Sequence, residues 1–140
     1  KAGLLSHGNG LYGDLTVLEN IIFWTQIAGV EKSEIERRIS WALKRMDLDS
    51  KLENQKVRSL SVGQKRRASL AVFIVRRPSL WLLDEPHAGL DQEGREIVDE
   101  LIKESAKAGA TVIVASHDLD RVLDLSTRVV NLSGGSVADV

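Results

Sequence analysis

Asp84 and Glu85 stand directly after the unbroken apolar run Leu80-Trp81-Leu82-Leu83. Two adjacent carboxylates at the end of a buried strand are costly to desolvate unless a cation, hydrogen bonds or water meets them. A magnesium ion bridging phosphates is one reason for such a pair, and a strand end emerging into water is the plainer one. The next residues narrow the choice: Pro86 ends the segment, and the turn His87-Ala88-Gly89-Leu90 leads to Asp91, whose side chain suits the N-cap of a helix. A second apolar run, Thr111 to Ala115, ends in Ser116-His117-Asp118. In open α/β sheets ligands sit beyond the carboxyl ends of the strands, so parallel pairing of these two runs would bring His117 near Glu85. His7, followed by Gly8, Asn9 and Gly10, closes the first apolar stretch in the same manner. The three histidines fall on three separate loops with no i, i+4 pair and no cysteine, which argues against zinc.

Leu60-Ser61-Val62-Gly63-Gln64 has the form of a helix start, with Ser61 and Gln64 spaced as a capping box. Free backbone amides and the positive dipole end favour an anion there, Gly63 would let a phosphate approach the main chain, and the Ser61 hydroxyl can donate. A capped helix without a ligand satisfies the same residues. The adjoining Lys65-Arg66-Arg67 is read as a solvated helix face in preference to a grip on nucleic acid.

The elements that must position these residues emerge from periodicity and punctuation. Thr16 with Glu19 forms another capping box, opening a helix through Ile21, Ile22, Trp24 and Ile27 that Gly29 stops. Ser33 to Leu48 carries Ile35, Ile39, Leu43 and Met46 at helical spacing. A third helix runs from the Ser61 cap to Arg77, before Pro78, and a fourth from about Gln92 to Lys107, before Gly109. Leu80 to Leu83 and Thr111 to Ala115 are short continuous apolar runs, as expected of interior parallel strands with helices on both faces. Residues 127 to 138 read as a hairpin turning at Gly134-Gly135. Only helices lie between the first strand and Leu80, so an inserted helical region of about 60 residues is expected beside an α/β sheet.

A chain of 140 residues, 43% apolar and 28% charged, has room for one ordinary domain. With 19 basic and 20 acidic residues it offers no global attraction to nucleic acid or an acidic membrane. No apolar run approaches the roughly 18 residues needed to span a bilayer. The chain opens at Lys1 on an apolar stretch, as expected of a segment of a longer protein.

Taken together these motifs resemble the nucleotide-binding subunit of ATP-binding cassette transporters. LSVGQ is similar to the family signature LSGGQ, with Val62 in place of a glycine. LWLLDEP resembles the Walker B strand, Ala88 to Asp91 the D-loop, and ASHD the switch-histidine loop. The opening LLSHGNGLYGDLTVLEN is similar to the Q-loop region, with His7 where most members carry glutamine. The resemblance implies an α/β P-loop NTPase (RecA-like) fold, truncated at its N-terminus, with an inserted α-helical subdomain. Residues 1–15 and 78–140 would form a partial ATPase core, and 16–77 the helical subdomain ending in the signature motif and its helix.

The resemblance also implies the ligands, ATP and Mg2+, and the roles. Asp84 would hold magnesium, Glu85 would polarise the attacking water, and His117 would stabilise charge on the γ-phosphate. Ser61, Gly63 and Gln64 would act on the nucleotide of a second subunit in a head-to-tail dimer, Asp91 would lie on that seam, and His7 would face the nucleotide. The helical subdomain would dock an integral membrane permease, placing the subunit in the cytoplasm on the inner face of the membrane, with no nucleic-acid partner. The phosphate-cradling GxxxxGK[ST] loop is absent from these 140 residues, so the intact protein is expected to be an ATPase and this segment alone to be inactive. Within the family, the pattern SHxxxLYxxLTxxEN from Ser6 to Asn20 resembles ATPases of haem exporters serving cytochrome c maturation. Exporters of drugs, lipids or polysaccharides, and soluble cassette proteins acting in translation or DNA repair, share the remaining motifs.

Overall fold

The computed structural model describes residues 1–8, 10–48 and 50–138. Three parallel strands, β1 (Ala2–Leu5), β2 (Leu80–Asp84) and β3 (Thr111–Ala115), form a sheet in the order β1-β2-β3. Leu5 pairs with Leu83, and Asp84 with Ala115, so all three strands end at one edge.

Between β1 and β2 lie α1 (Val17–Ile27), α2 (Lys32–Arg45), the short α3 (Ser50–Glu53), a single 3-10 turn (Val57–Ser59) and α4 (Val62–Val75). The predicted capping boxes are both formed: Thr16 with Glu19 starts α1, and Ser61 with Gln64 starts α4. Helix α2 ends at Arg45, three residues before the expected Leu48, because the chain turns back through Asp47 at φ 52° and buries Leu48 without helix. Helix α5 (Gln92–Lys107) matches its expected span. A seven-residue α6 (Leu119–Leu125) and a hairpin of β4 (Asn131–Ser133) and β5 (Ser136–Ala138) complete the described chain.

Helix α4 is the hub, buried continuously from Ala68 to Val75 and packed against β1 on one side and α1 and α2 on the other. One hydrophobic cluster therefore runs from Leu5 and Trp81 in the sheet through Phe73 and Ile74 to Ile21, Leu43 and Val98. Gly3 is needed where β1 crosses it, since a Cβ there would stand 2.8 Å from both Phe73 and Pro78.

The expectation that helices cover both faces of the sheet is corrected. Gly3, Leu5, Trp81 and Leu83 face the core, whereas Leu4 is 63% and Ile113 55% exposed on the other side. The strands have the composition of a doubly covered sheet, and the described residues supply one cover.

Candidate active site

The site grows from the common edge of the strands. Asp84 ends β2 with an exposed carboxylate, His7 follows β1 in an exposed bend, and Ser116 and His117 follow β3. Asn9, next to the His7 turn, lies outside the described residues. Glu85 and His117 are in direct contact, as parallel pairing requires. Glu85 Oε1 accepts from the His117 backbone N–H at 2.9 Å and lies 3.6 Å from His117 Nε2, while Oε2 accepts from Ser116 Oγ at 3.3 Å. The imidazole itself is fully exposed, free to meet a ligand beyond the edge.

Glu85 holds this position with its backbone in the left-handed region, at φ 47°. A non-glycine residue is strained there by roughly 1–3 kcal/mol, and such a conformation persists only where its surroundings over-determine it. Here they do. Its N–H donates to Ala115 O at 2.8 Å, and its own carbonyl accepts from Ala88 N–H at 3.1 Å and from Arg66 Nη2 at 2.7 Å.

Arg66 corrects the reading of the basic run as a solvated face. It is 7% exposed and reaches under the strand edge, with Nη1 donating to Ser6 O at 2.9 Å, Nη2 also to Asp84 O at 3.2 Å, and Nε to Pro86 O at 3.4 Å. Burial pushes its pKa down, opposed by the nearby Asp84 carboxylate. Arg67 is also drawn in: it donates to Met46 O at 3.2 Å and pairs with Asp91 at 3.1 Å. Sequence reasoning missed Arg66, although a signal existed. Positions 66, 70 and 73 share one helical stripe, and Leu70 and Phe73 are core residues.

Asp91 is the N-cap of α5, accepting from Gly94 N–H at 2.9 Å. That bond, and then the Arg67 charge, hold its carboxyl below the usual carboxylate range. The α4 start lies against the same turn: an added Cβ on Gly63 would be 3.1 Å from Gly89 O. Ser61 and Val62 are exposed there, and Gln64 is engaged in the capping box, its Oε1 accepting from Ser61 N–H at 2.9 Å. Behind the turn His87 is buried, with Nε2 2.7 Å from Asp99 Oδ1, and Asp99 in turn pairs with Arg121. Ahead of α1, Asn20 shapes the loop after His7 by accepting from Tyr12 N–H at 2.8 Å and donating to the Tyr12 and Thr16 carbonyls.

Asp84 fits a hydrated divalent cation: it offers exposed oxygen only, and magnesium is ordinarily held by one or two carboxylates together with water and phosphate. Among the described residues no group of three or more His, Asp or Glu side chains could hold a metal unaided.

Residues 1–88 match the family model described as ABC transporter. The chain belongs to the ABC transporter family. It is similar to the energy-coupling factor transporter ATP-binding protein EcfA2 of Symbiobacterium thermophilum, with 36% identity over 91% of this chain and 44% of that protein. It is also similar to the lactose transport ATP-binding protein LacK of Rhizobium radiobacter, at 37% identity over 93% of this chain and 36% of that protein. The chain thus spans less than half the length of these relatives. Among solved structures, the dimeric post-hydrolysis state of the ATP-binding cassette MJ0796 bound to ADP and Pi superposes with a TM-score of 0.86 at 28% identity, covering 99% of this chain and 61% of that one. CbiO1 from Clostridium perfringens, part of the ABC transporter complex cbiONQ, superposes at 0.77 with 30% identity, covering 98% and 55%. The fold is therefore that of an ABC ATPase cassette, an α/β P-loop NTPase fold. No helix among the described residues is long and apolar enough to cross a membrane.

Proposed function

We propose that the chain carries the hydrolytic edge of an ATP-driven ABC transporter subunit. The observation that carries this reading is the Glu85 carboxylate, fixed between the His117 amide and Ser116 Oγ at the end of parallel strands. Glu85 orients and deprotonates the attacking water, with its carboxylate aimed by the β3 end. His117, exposed beside it, donates to the γ-phosphate oxygens as their charge redistributes. Asp84 would hold a magnesium ion, which would supply charge neutralisation for the phosphates. Phosphoryl transfer asks little covalent chemistry of the protein, so positioning and charge stabilisation carry the rate.

Ser61, Gly63 and Gln64 at the α4 start face a second subunit's nucleotide in a head-to-tail dimer, and Asp91 lies on that seam. The dimeric state of MJ0796 and the multi-component assembly containing CbiO1 support a dimer and a membrane partner. The GxxxxGK[ST] cradle falls outside these residues, so hydrolysis belongs to the longer protein. His7 at the β1 end reports nucleotide state toward the helical region that meets the membrane subunit. The haem-export likeness rests on the Ser6 to Asn20 pattern alone; EcfA2 and LacK carry other transport names and lend it no support.

The test is Glu85→Gln in the full-length protein. ATP hydrolysis should fall by about 10²-fold or more while ATP binding is retained. Hydrolysis at the unaltered rate would overturn the reading.

A further inference from the structure

We propose that Arg66 is the positioning residue for Glu85, holding the strained backbone from which the carboxylate acts. This rests on the reading of Glu85 as the group that activates water. The guanidinium is buried and its hydrogen bonds go to main-chain oxygen: the carbonyls of Ser6, Asp84, Glu85 and Pro86. A buried cation is expensive, and the Asp84 carboxylate offsets only part of that cost. The rest is offset by four charge-assisted hydrogen bonds, three of them to the consecutive residues 84–86.

The fork recognises one backbone shape. Nη2 bridges the Asp84 and Glu85 carbonyls at 3.2 and 2.7 Å, and Nε takes Pro86. Returning Glu85 from φ 47° to an ordinary conformation would swing its carbonyl away from Nη2 and its carboxylate away from the His117 amide. Relaxing the strain therefore means breaking the best of the Arg66 bonds. Lysine cannot reproduce the arrangement, because its donors radiate from one point and no planar fork spans consecutive carbonyls. Through Ser6 the same side chain also fixes the strand end next to His7. Because Arg66 lies five residues after Ser61 on α4, the helix start that presents Ser61 and Gly63 is bonded directly to the backbone of Glu85.

The experiment uses the full-length protein with ATP and magnesium. Arg66→Met should lower kcat about tenfold or more, since ångström-scale misplacement of a reacting group has costs of that order. KM for ATP should stay within about threefold, because an interaction expressed only in the transition state leaves ground-state binding alone. Arg66→Lys should fall between Met and the unaltered protein. The decisive measurement is the residual single-turnover rate in a Glu85→Gln background. If Arg66 acts through Glu85, adding Arg66→Met there should change that rate by less than about twofold.

Three results overturn the proposal: an unaltered kcat in Arg66→Met, a fall in kcat matched by an equal loss of nucleotide affinity, or the same fractional loss with and without Glu85. If Arg66→Met does not fold, Arg66→Lys carries the test, and an unaltered kcat in that variant overturns the proposal. Glu85→Gln alone hydrolysing at the full rate is a separate outcome, which overturns the underlying reading and this proposal with it.

Discussion

Protonating His87 would place a second N–H where nothing accepts it. Nε2 already meets Asp99 at 2.7 Å, and Nδ1 is buried with no hydrogen-bond partner among the described residues. Burial pushes the His87 pKa below its ordinary value of 6.5; the Asp99 carboxylate opposes this, and Arg121 and Asp118 act from farther out in opposite directions. The unfolded chain therefore takes up this proton at a higher pH than the folded one. Stability is full above about pH 6.5 and falls as pH drops through the depressed value. Urea midpoints measured from pH 8 to pH 5 should decline in that lower range, and His87→Asn should remove that part of the decline. A slope unchanged by the substitution would assign it to other groups. Residues of this kind divide sharply in how well a sequence discloses them. The Glu85–His117 contact was legible, because two apolar runs ending in Asp-Glu and Ser-His need only parallel pairing to meet. Arg66 was legible only in part: its stripe with Leu70 and Phe73 marks it as inward-facing, but its partners are main-chain carbonyls that no side-chain pattern identifies.

Three helix starts were legible for a local reason: Thr16 with Glu19, Ser61 with Gln64, and Asp91 each cap their own first turn, so sequence neighbours decide the structure there. Helix ends and short pieces were less so. Leu48, five residues after Leu43 and so off its helical face, is nevertheless buried and reaches the core from a turn. Helix α6 buries none of its residues, and α3 and the 3-10 turn are too brief to set up a period. The junction between α4 and the 87–91 turn illustrates what element-level packing adds. Gly89 sits at φ 77°, and a Cβ on it would stand 3.2 Å from Val62 Cγ1. Val62 is exposed and can shift, whereas the left-handed backbone cannot accept a Cβ without cost. Gly89→Ala should therefore destabilise the protein by roughly 1–2 kcal/mol in chemical denaturation. Adding Val62→Gly to it should restore little of that loss. Full recovery in the double variant would mean that the side-chain contact, and not the backbone, set the cost.

The open face of the sheet is the largest departure from what the sequence alone suggested, and it bears on the molecule as a whole. Leu4 and Ile113 lie on that face, and Leu132 and Val137 of the hairpin are exposed as well. Large apolar surface left to water calls for a cover. The relatives, of which this chain spans 44% and 36%, are long enough to supply one from their own chains. A substitution at Ile113 should then have different consequences in two contexts. In the 140-residue chain, Ile113→Thr removes apolar surface already facing water, so it should reduce binding of a hydrophobic dye and leave the unfolding midpoint unchanged. In the full-length protein the same position would be buried, and the substitution should cost roughly 1.5–3 kcal/mol, the worth of a fully buried aliphatic side chain. Equal effects in the two contexts would mean that Ile113 stays in water in both. The face would then be solvent-facing by design, and the apolar character of β3 would need another explanation.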